Sequence, residues 1–272
     1  LNIMIQKLGL AHFSAISMPP QEFVALSADA GFARVGLRLC APFAGAPHYP
    51  LRAGSAELRD LSRKCADLGI EVYDIEAVVI DATFDAGALV RALEAAAELG
   101  AKRLSVAGDD ENGRRLADNV SSLCEMASKF GLSVDMENMG WRTIATYEQA
   151  DALVAATAAK NAGVLVDALH FFRNGGKLEQ LRAGIARVQS VQLCDVRGLA
   201  PTTAEGMVAE ARSGRYAPGE GELPLQELLA AIGDTVFVSI EVPLADPAGT
   251  PHDHVHHLMT ATRRLLTPAG QG

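Results

Sequence analysis

Eight short apolar runs recur along this chain, and each is followed by a longer stretch with helical spacing. The strand-like runs are Lys7–Phe13, Arg34–Leu39, Glu71–Val79, Arg103–Ala107, Ser133–Asn138, Gly163–Asp167, Val188–Leu193 and Val236–Val242. They are continuously apolar rather than alternating, the pattern of strands buried on both faces in a parallel sheet covered by helices. Pro19-Pro20 opens a helical stretch to Ala30, and Glu57–Leu68, Leu89–Leu99, Arg114–Phe130, Tyr147–Lys160, Leu178–Ala186, Leu225–Ile232 and His254–Leu266 follow. Gly31, Gly69, Gly100 and Gly131 stand directly after periodic segments, where a helix is expected to stop. Eight such units predict one α/β domain, a single (β/α)8 barrel over 1–266 with a flexible tail over 267–272. An open doubly wound sheet is the alternative. It is weakened because no Gly-rich nucleotide loop follows the first strand.

The 272 residues are 49% apolar, enough for a large core. The net charge of −9 argues against a nucleic-acid backbone as partner, since phosphate binding needs a basic footprint. The four cysteines (Cys40, Cys65, Cys124, Cys194) show no CxxC pair, and no apolar run reaches the ~18 residues of a membrane span. The expectation is a cytoplasmic protein without a membrane partner, acting on a small molecule. The longest interruption, Arg197–Leu223, carries a short helical stretch, Ala204–Arg212, and then Ala217-Pro-Gly-Glu-Gly-Glu-Leu223.

Glu137, Asp167, Gln192 and Glu241 end the fifth to eighth strand-like runs. Carboxylates that end apolar runs are costly to bury unless their charge is compensated. In a closed barrel these consecutive C-terminal strand ends converge, and one divalent cation would compensate them together. An all-oxygen set suits Mg²⁺ or Mn²⁺ better than zinc, which remains open.

His170, three residues past Asp167, is a candidate neighbour of the metal or the substrate. Arg173, before Asn174-Gly-Gly176, is a candidate anion contact or a surface ion pair. Arg197 extends the seventh strand end beside Asp195, and Arg212 and Arg215 are read as a cationic lid or as helix-surface charge. His12, His48 and Trp141 follow strands one, two and five and are candidate pocket walls. The tract His252-Asp-His-Val-His-His257 resembles a metal tract, but no Glu accompanies His252 and His256 in the HExxH manner, so it reads as surface histidines. Pro218-Gly-Glu-Gly221 is too short for a phosphate loop, and no GxSxG elbow occurs.

In combination, Glu137-Asn, Asp167-x-x-His170, Val191-Gln-Leu-Cys-Asp195, Pro218-Gly-Glu-Gly-Glu-Leu223 and Ser239-Ile-Glu-Val242 resemble the xylose isomerase-like barrel superfamily, in its sugar phosphate isomerase/epimerase branch. The resemblance covers nearly the whole chain. It implies that Glu137 and Glu241 bind a metal and exchange protons with a sugar carbon, that Asp167 is the third ligand, and that His170 lies near metal and substrate. Gln192 stands where the family most often has a ligand histidine. An amide binds through its oxygen but is neutral and relays no proton, and we read it as the fourth ligand. Arg197 is an approximate match to an arginine that some epimerases place near substrate. Val35-Gly-Leu-Arg-Leu39 lacks a glutamate often found on strand two. Members are often dimers or tetramers, so a homo-oligomer is admitted.

These residues suit proton transfer beside a carbonyl through a metal-stabilised enediolate. The implied function is a divalent-metal-dependent isomerase or epimerase of a sugar, sugar phosphate or keto-polyol, with Glu137, Glu241 and His170 catalytic and His12, Trp141, Arg173 and Arg197 contacting substrate. Loss of a β-hydroxyl from the same intermediate makes a dehydratase the alternative. A non-catalytic sugar-binding barrel is the other. The related AP endonuclease class needs a basic groove, which the acidic composition disfavours.

Overall fold

The structure, a computed structural model, describes residues 7–245 and 249–267. Eight strands close in chain order: β1 (Gly9–Leu10), β2 (Arg34–Leu37), β3 (Glu71–Asp81), β4 (Arg103–Asp109), β5 (Ser133–Glu137), β6 (Ala162–Asp167), β7 (Val188–Leu193) and β8 (Phe237–Ile240). Every neighbouring pair is parallel, and β1 closes the barrel onto β8. The helices are α1 (Pro20–Ala30), α2 (Ala56–Leu68), α3 (Val90–Glu98), α4 (Gly113–Ser128), α5 (Tyr147–Thr157), α6 (Ala168–Arg173), α7 (Leu178–Gly184), α8 (Ala204–Ser213), α9 (Leu225–Ile232) and α10 (Pro251–Leu266). The predicted barrel is therefore the observed architecture. The predicted tail lies, beyond Thr267, outside the described residues.

Element boundaries differ from the sequence reading where side chains intervene. The first strand stops at Leu10 because the backbone N–H groups of His12 and Phe13 donate to the Glu76 carboxylate rather than to a neighbouring strand. The chain then turns through a 3₁₀ segment, His12–Ala15. A short helix, α6, follows β6 directly and carries His170. Asp167, the last residue of β6, is also its N-cap, and its Oδ1 accepts from the His170 N–H at 3.0 Å. Helix α5 stops at Thr157 rather than Lys160 because Ala158 takes a left-handed conformation, φ 52°.

Strand side chains alternate with period two, so residues two apart enter the barrel together. Asp135 and Glu137 are such a pair on β5, Ser190 and Gln192 on β7, and Asp74 and Glu76 on β3. The deeper layer holds a buried ion pair: Arg103 grips Asp135 with Nε and Nη2, and Ser190 Oγ donates to Asp135 Oδ2 at 3.2 Å. Gly163 on β6 makes room for it. A Cβ there would come within 2.7 Å of Asp135 Oδ1 and 2.9 Å of Arg103 Nη2.

Removing one partner of a buried pair leaves the other charge uncompensated. Asp135→Ala is expected to cost about 3–5 kcal/mol, read as a lower urea midpoint with the denaturant slope retained. A loss below about 1 kcal/mol would place this pair with surface ion pairs.

Candidate active site

The upper layer of the barrel interior is where the four predicted ligands come together. Asp167 and Gln192 are register partners on β6 and β7, Glu137 ends β5, and Glu241 follows β8 with its N–H bonded to the Leu193 carbonyl at 3.0 Å. Oxygens of Glu137, Asp167 and Glu241 lie within 4.8 Å of one another, and all three residues are buried. Two oxygens on opposite sides of one small divalent cation are about 4.2 Å apart, so the spread is close to what such an ion spans.

Gln192 Nε2 donates to Glu241 Oε1 at 3.2 Å, while Gln192 Oε1 is buried without a partner among the described residues. Flipping the amide would set oxygen against carboxylate, so the free atom is the oxygen. An orphaned acceptor beside three carboxylates is an all-oxygen donor set of the kind that suits a hard cation. Glu137, Asp167, Glu241 and Gln192 Oε1 therefore fit a divalent metal.

Arg215 is the cation among these acids. Its Nη1 lies 2.5 Å from Asp167 Oδ2, and its Nη2 lies 3.3 Å from Glu241 Oε2. The Ala211 carbonyl accepts from its Nε at 2.9 Å. One guanidinium cannot neutralise three carboxylates. Burial, then the Glu241 and Asp167 charges, push the Glu137 carboxyl well above its usual range. Burial also raises Glu241 to about 7, with Arg215 pulling the other way. Burial acts upward on Asp167 as well, but Arg215 and His170 prevail and hold it below the usual value.

His170 Nε2 lies 3.9 Å from Glu137 Oε1, and its ring meets Trp141 edge-on at 5.1 Å. Burial lowers its pKa to about 4, so the ring is neutral near pH 7. The Asp167-x-x-His170 spacing is thus the N-cap to third-residue spacing of α6, which turns the histidine toward Glu137.

A cavity of about 250 Å³ opens above this layer. Phe13, Ile16, Pro42, Phe43, Met139 and Trp141 form apolar wall, and the charged lining comprises Arg38, Arg142, Arg212, Arg215, Glu76, Glu137 and Glu241. Arg212 stacks over Phe43 at 5.0 Å and Arg38 over Phe13 at 4.5 Å. The Nε atoms of Arg38 and Arg142 are buried and have no partner among the described residues.

Three predicted substrate contacts do not line this cavity. Arg173 is held by Glu210 at 2.6 Å and by the carbonyls of Arg197 and Gly198. Arg197 donates to the Glu220 carbonyl and covers the Tyr216 ring at 4.4 Å. His12 is stacked between Phe23 and Tyr49. Its Nδ1 accepts from the Arg38 N–H at 3.1 Å, so Nε2 carries the proton and donates to the Met18 carbonyl at 2.9 Å. Burial lowers its pKa to about 4, and it acts as a neutral brace behind Arg38. His48 likewise turns to a backbone oxygen, Ala46 at 3.0 Å.

Sequence reading overlooked Glu76. It binds the N–H groups of His12 and Phe13 at 2.6 and 3.2 Å and Arg38 Nη2 at 3.3 Å. Its signal was an acid two residues after Asp74 inside an apolar run, on one strand face. The Pro-Gly-Glu-Gly segment proves architectural. Asp195 accepts from the N–H groups of Gly219 and Leu223, and a Cβ at Gly221 would meet Asp195 Oδ1 at 2.3 Å. Asp195 and Tyr216 exchange two backbone bonds, which sets Arg215 beneath the loop.

The model of the xylose isomerase-like TIM barrel family matches residues 24–262. The chain is 31% identical over 192 residues to a 3-dehydroshikimate dehydratase of Pseudomonas aeruginosa, a match covering 64% of this chain and 29% of that enzyme. It is 26% identical over 138 residues to an inosose isomerase of Bacillus velezensis, covering 49% and 48% of the two chains. These matches thus span less than half the length of either curated relative. Among solved structures, the IOLI protein with a bound zinc atom superposes with a TM-score of 0.79 at 20% identity, over 96% of this chain and 98% of that one, a likeness of fold. The matched span takes in nearly the whole barrel, and the chain belongs to the xylose isomerase-like TIM barrel family.

Proposed function

We propose that this protein is a divalent-metal-dependent enzyme that moves a proton beside a carbonyl of a polyhydroxylated substrate. The observation that carries the reading is the convergence of three buried carboxylates, with a buried Gln192 amide oxygen that has no partner among the described residues. Glu137, Asp167, Gln192 and Glu241 would hold the ion, with Mn²⁺ or Mg²⁺ preferred for all-oxygen ligands. When bound, the ion supplies Lewis-acid stabilisation of the charge that develops on the carbonyl oxygen.

The side chains divide the remaining work. Arg215 keeps Asp167 ionised and fixes Glu241 from its far side. His170, neutral and facing both the cavity and Glu137, takes a proton from carbon and returns it. Trp141 packs edge-on against the imidazole and limits its orientation. If the proton goes to a departing β-hydroxyl, water leaves and a conjugated carbonyl remains. If it returns to carbon, through Glu137 or Glu241 on another face, the product is an isomer or epimer.

The arginines of the wall suit a substrate carboxylate. Arg38, Arg142 and Arg215 are anchored by Glu76, by Asp109 and by Asp167 with Glu241, and Arg212 lies over Phe43. A bound divalent ion would offset the buried acids beneath them. The partial match to a dehydroshikimate dehydratase points the same way. Isomerisation of a neutral keto-polyol is the second reading, supported by the match to an inosose isomerase.

Glu241→Gln is expected to lose both tightly bound Mn²⁺, read by elemental analysis, and activity, read on dehydroshikimate by absorbance of the conjugated product and on an inosose by chromatographic separation of the isomers. His170→Ala should keep the metal and lower kcat by about 10²–10⁴-fold. Full activity in both variants would reject the assigned roles.

Protonation predicts a further effect. Because Glu241 sits near 7 against an ordinary 4.5, the folded protein binds more protons than the unfolded chain between those values. Stability therefore falls as pH rises through that window. Asp167 acts oppositely, but its contribution is lost only as pH falls through its depressed value. His12 and His170, held near 4, also act oppositely in the same window, so Glu241 is read as a difference. In chelator, wild type should lose on the order of 2 kcal/mol of unfolding free energy relative to Glu241→Gln from about pH 5 to about pH 8. Mn²⁺ should shrink this difference; no difference without metal would mean that these acids repel little.

A further inference from the structure

The histidine tract that opens α10 gains a partner that its own sequence does not contain. His252 and His256 stand four residues apart, on one helix face. Their rings lie 4.4 Å apart between centroids. Across from them is Asp29, near the end of α1, the helix against which α10 packs. Asp29 Oδ2 lies 2.9 Å from His256 Nε2 and 3.8 Å from His252 Nε2. One donor atom from each residue falls within 4.8 Å of the other two.

A second carboxylate orients this set. His252 Nδ1 lies 3.5 Å from Asp253 Oδ1, while Asp253 Oδ2 accepts from Thr250 Oγ1 at 2.7 Å. A carboxylate on Nδ1 leaves Nε2 as the ligating nitrogen, the arrangement that supports metal-bound imidazoles. Both histidines thus present Nε2 to one carboxylate oxygen, and solvent at this exposed face supplies the remaining ligands.

We propose that Asp29, His252 and His256 form a surface transition-metal site that links α1 to α10. Two imidazoles and one carboxylate suit Zn²⁺, Ni²⁺ or Cu²⁺, in contrast to the oxygen set at the barrel mouth. The ion replaces the proton shared by His256 Nε2 and Asp29 Oδ2, and that proton leaves to solvent. The location gives the site a consequence. Strand β1 has only two residues and meets β2 and β8 through two register pairs each, so the closing seam is short. An ion bound to helices from the first and last units of the barrel favours the closed, folded form by mass action.

The test is equilibrium dialysis of the untagged full chain against Ni²⁺, with thermal unfolding in parallel. Wild type should take up one equivalent more than the double variant His252→Ala, His256→Ala. His257→Ala removes a histidine of the same tract whose partner is Glu220, and should match wild type. Asp29→Asn keeps both imidazoles and should weaken uptake by about tenfold or more. Ni²⁺ should raise the unfolding midpoint of wild type by more than that of the double variant. Equal uptake and equal midpoint shifts in wild type and both site variants would overturn the proposal. Metal at the mouth contributes equally to wild type and to these variants, so the reading of the active site stands or falls separately.

Discussion

Three carboxylates buried against one another dominate the physics of this barrel. Closing eight parallel strands forces Glu137, Asp167 and Glu241 into one layer, where each raises the cost of ionising the others. Arg215 relieves Asp167 fully and Glu241 in part, and does least for Glu137. The loop that presents this arginine is built accordingly, with Asp195 gathering the N–H groups of Gly219 and Leu223. A divalent ion would complete the compensation that one guanidinium begins.

A second network braces the opposite wall. Glu76 ties β3 to the segment after β1 through two backbone N–H groups and to the residue after β2 through Arg38. His12, kept neutral by burial, accepts from the Arg38 backbone and stacks between two aromatic rings. These contacts end the first strand early, and they hold the Arg38 guanidinium in the cavity wall with an N–H to spare. Arg38 is thus preorganised for an acceptor, since its side-chain entropy is already lost before a substrate arrives.

The sequence was legible wherever the information was local and periodic. Continuous apolar strands, helical spacing and C-terminal glycines carried the barrel, and acids at consecutive strand ends marked the layer that contains the site. Glu76 was missed although its i, i+2 relation to Asp74 was visible, because an acid inside a strand shows its facing only once the barrel direction is known. Arg173 and Arg197 follow the sixth and seventh strands, where a contact to substrate is expected from the sequence. Competing acceptors, Glu210 and the Glu220 carbonyl, turn both away from the cavity.

The chain by itself determined the eight-unit order, the one-domain barrel and the strand-end positions of Glu137, Asp167, Gln192 and Glu241. Each follows from short-range periodicity and from the rule that parallel strands converge at one end. Tertiary structure alone decided which charges meet. Arg215 reaches Asp167 across 48 residues, and His256 reaches Asp29 across 227. Residues so far apart meet only when the loops fold back and the last helix packs on the first. Pairings of that kind depend on closure of the whole chain, which no local spacing encodes.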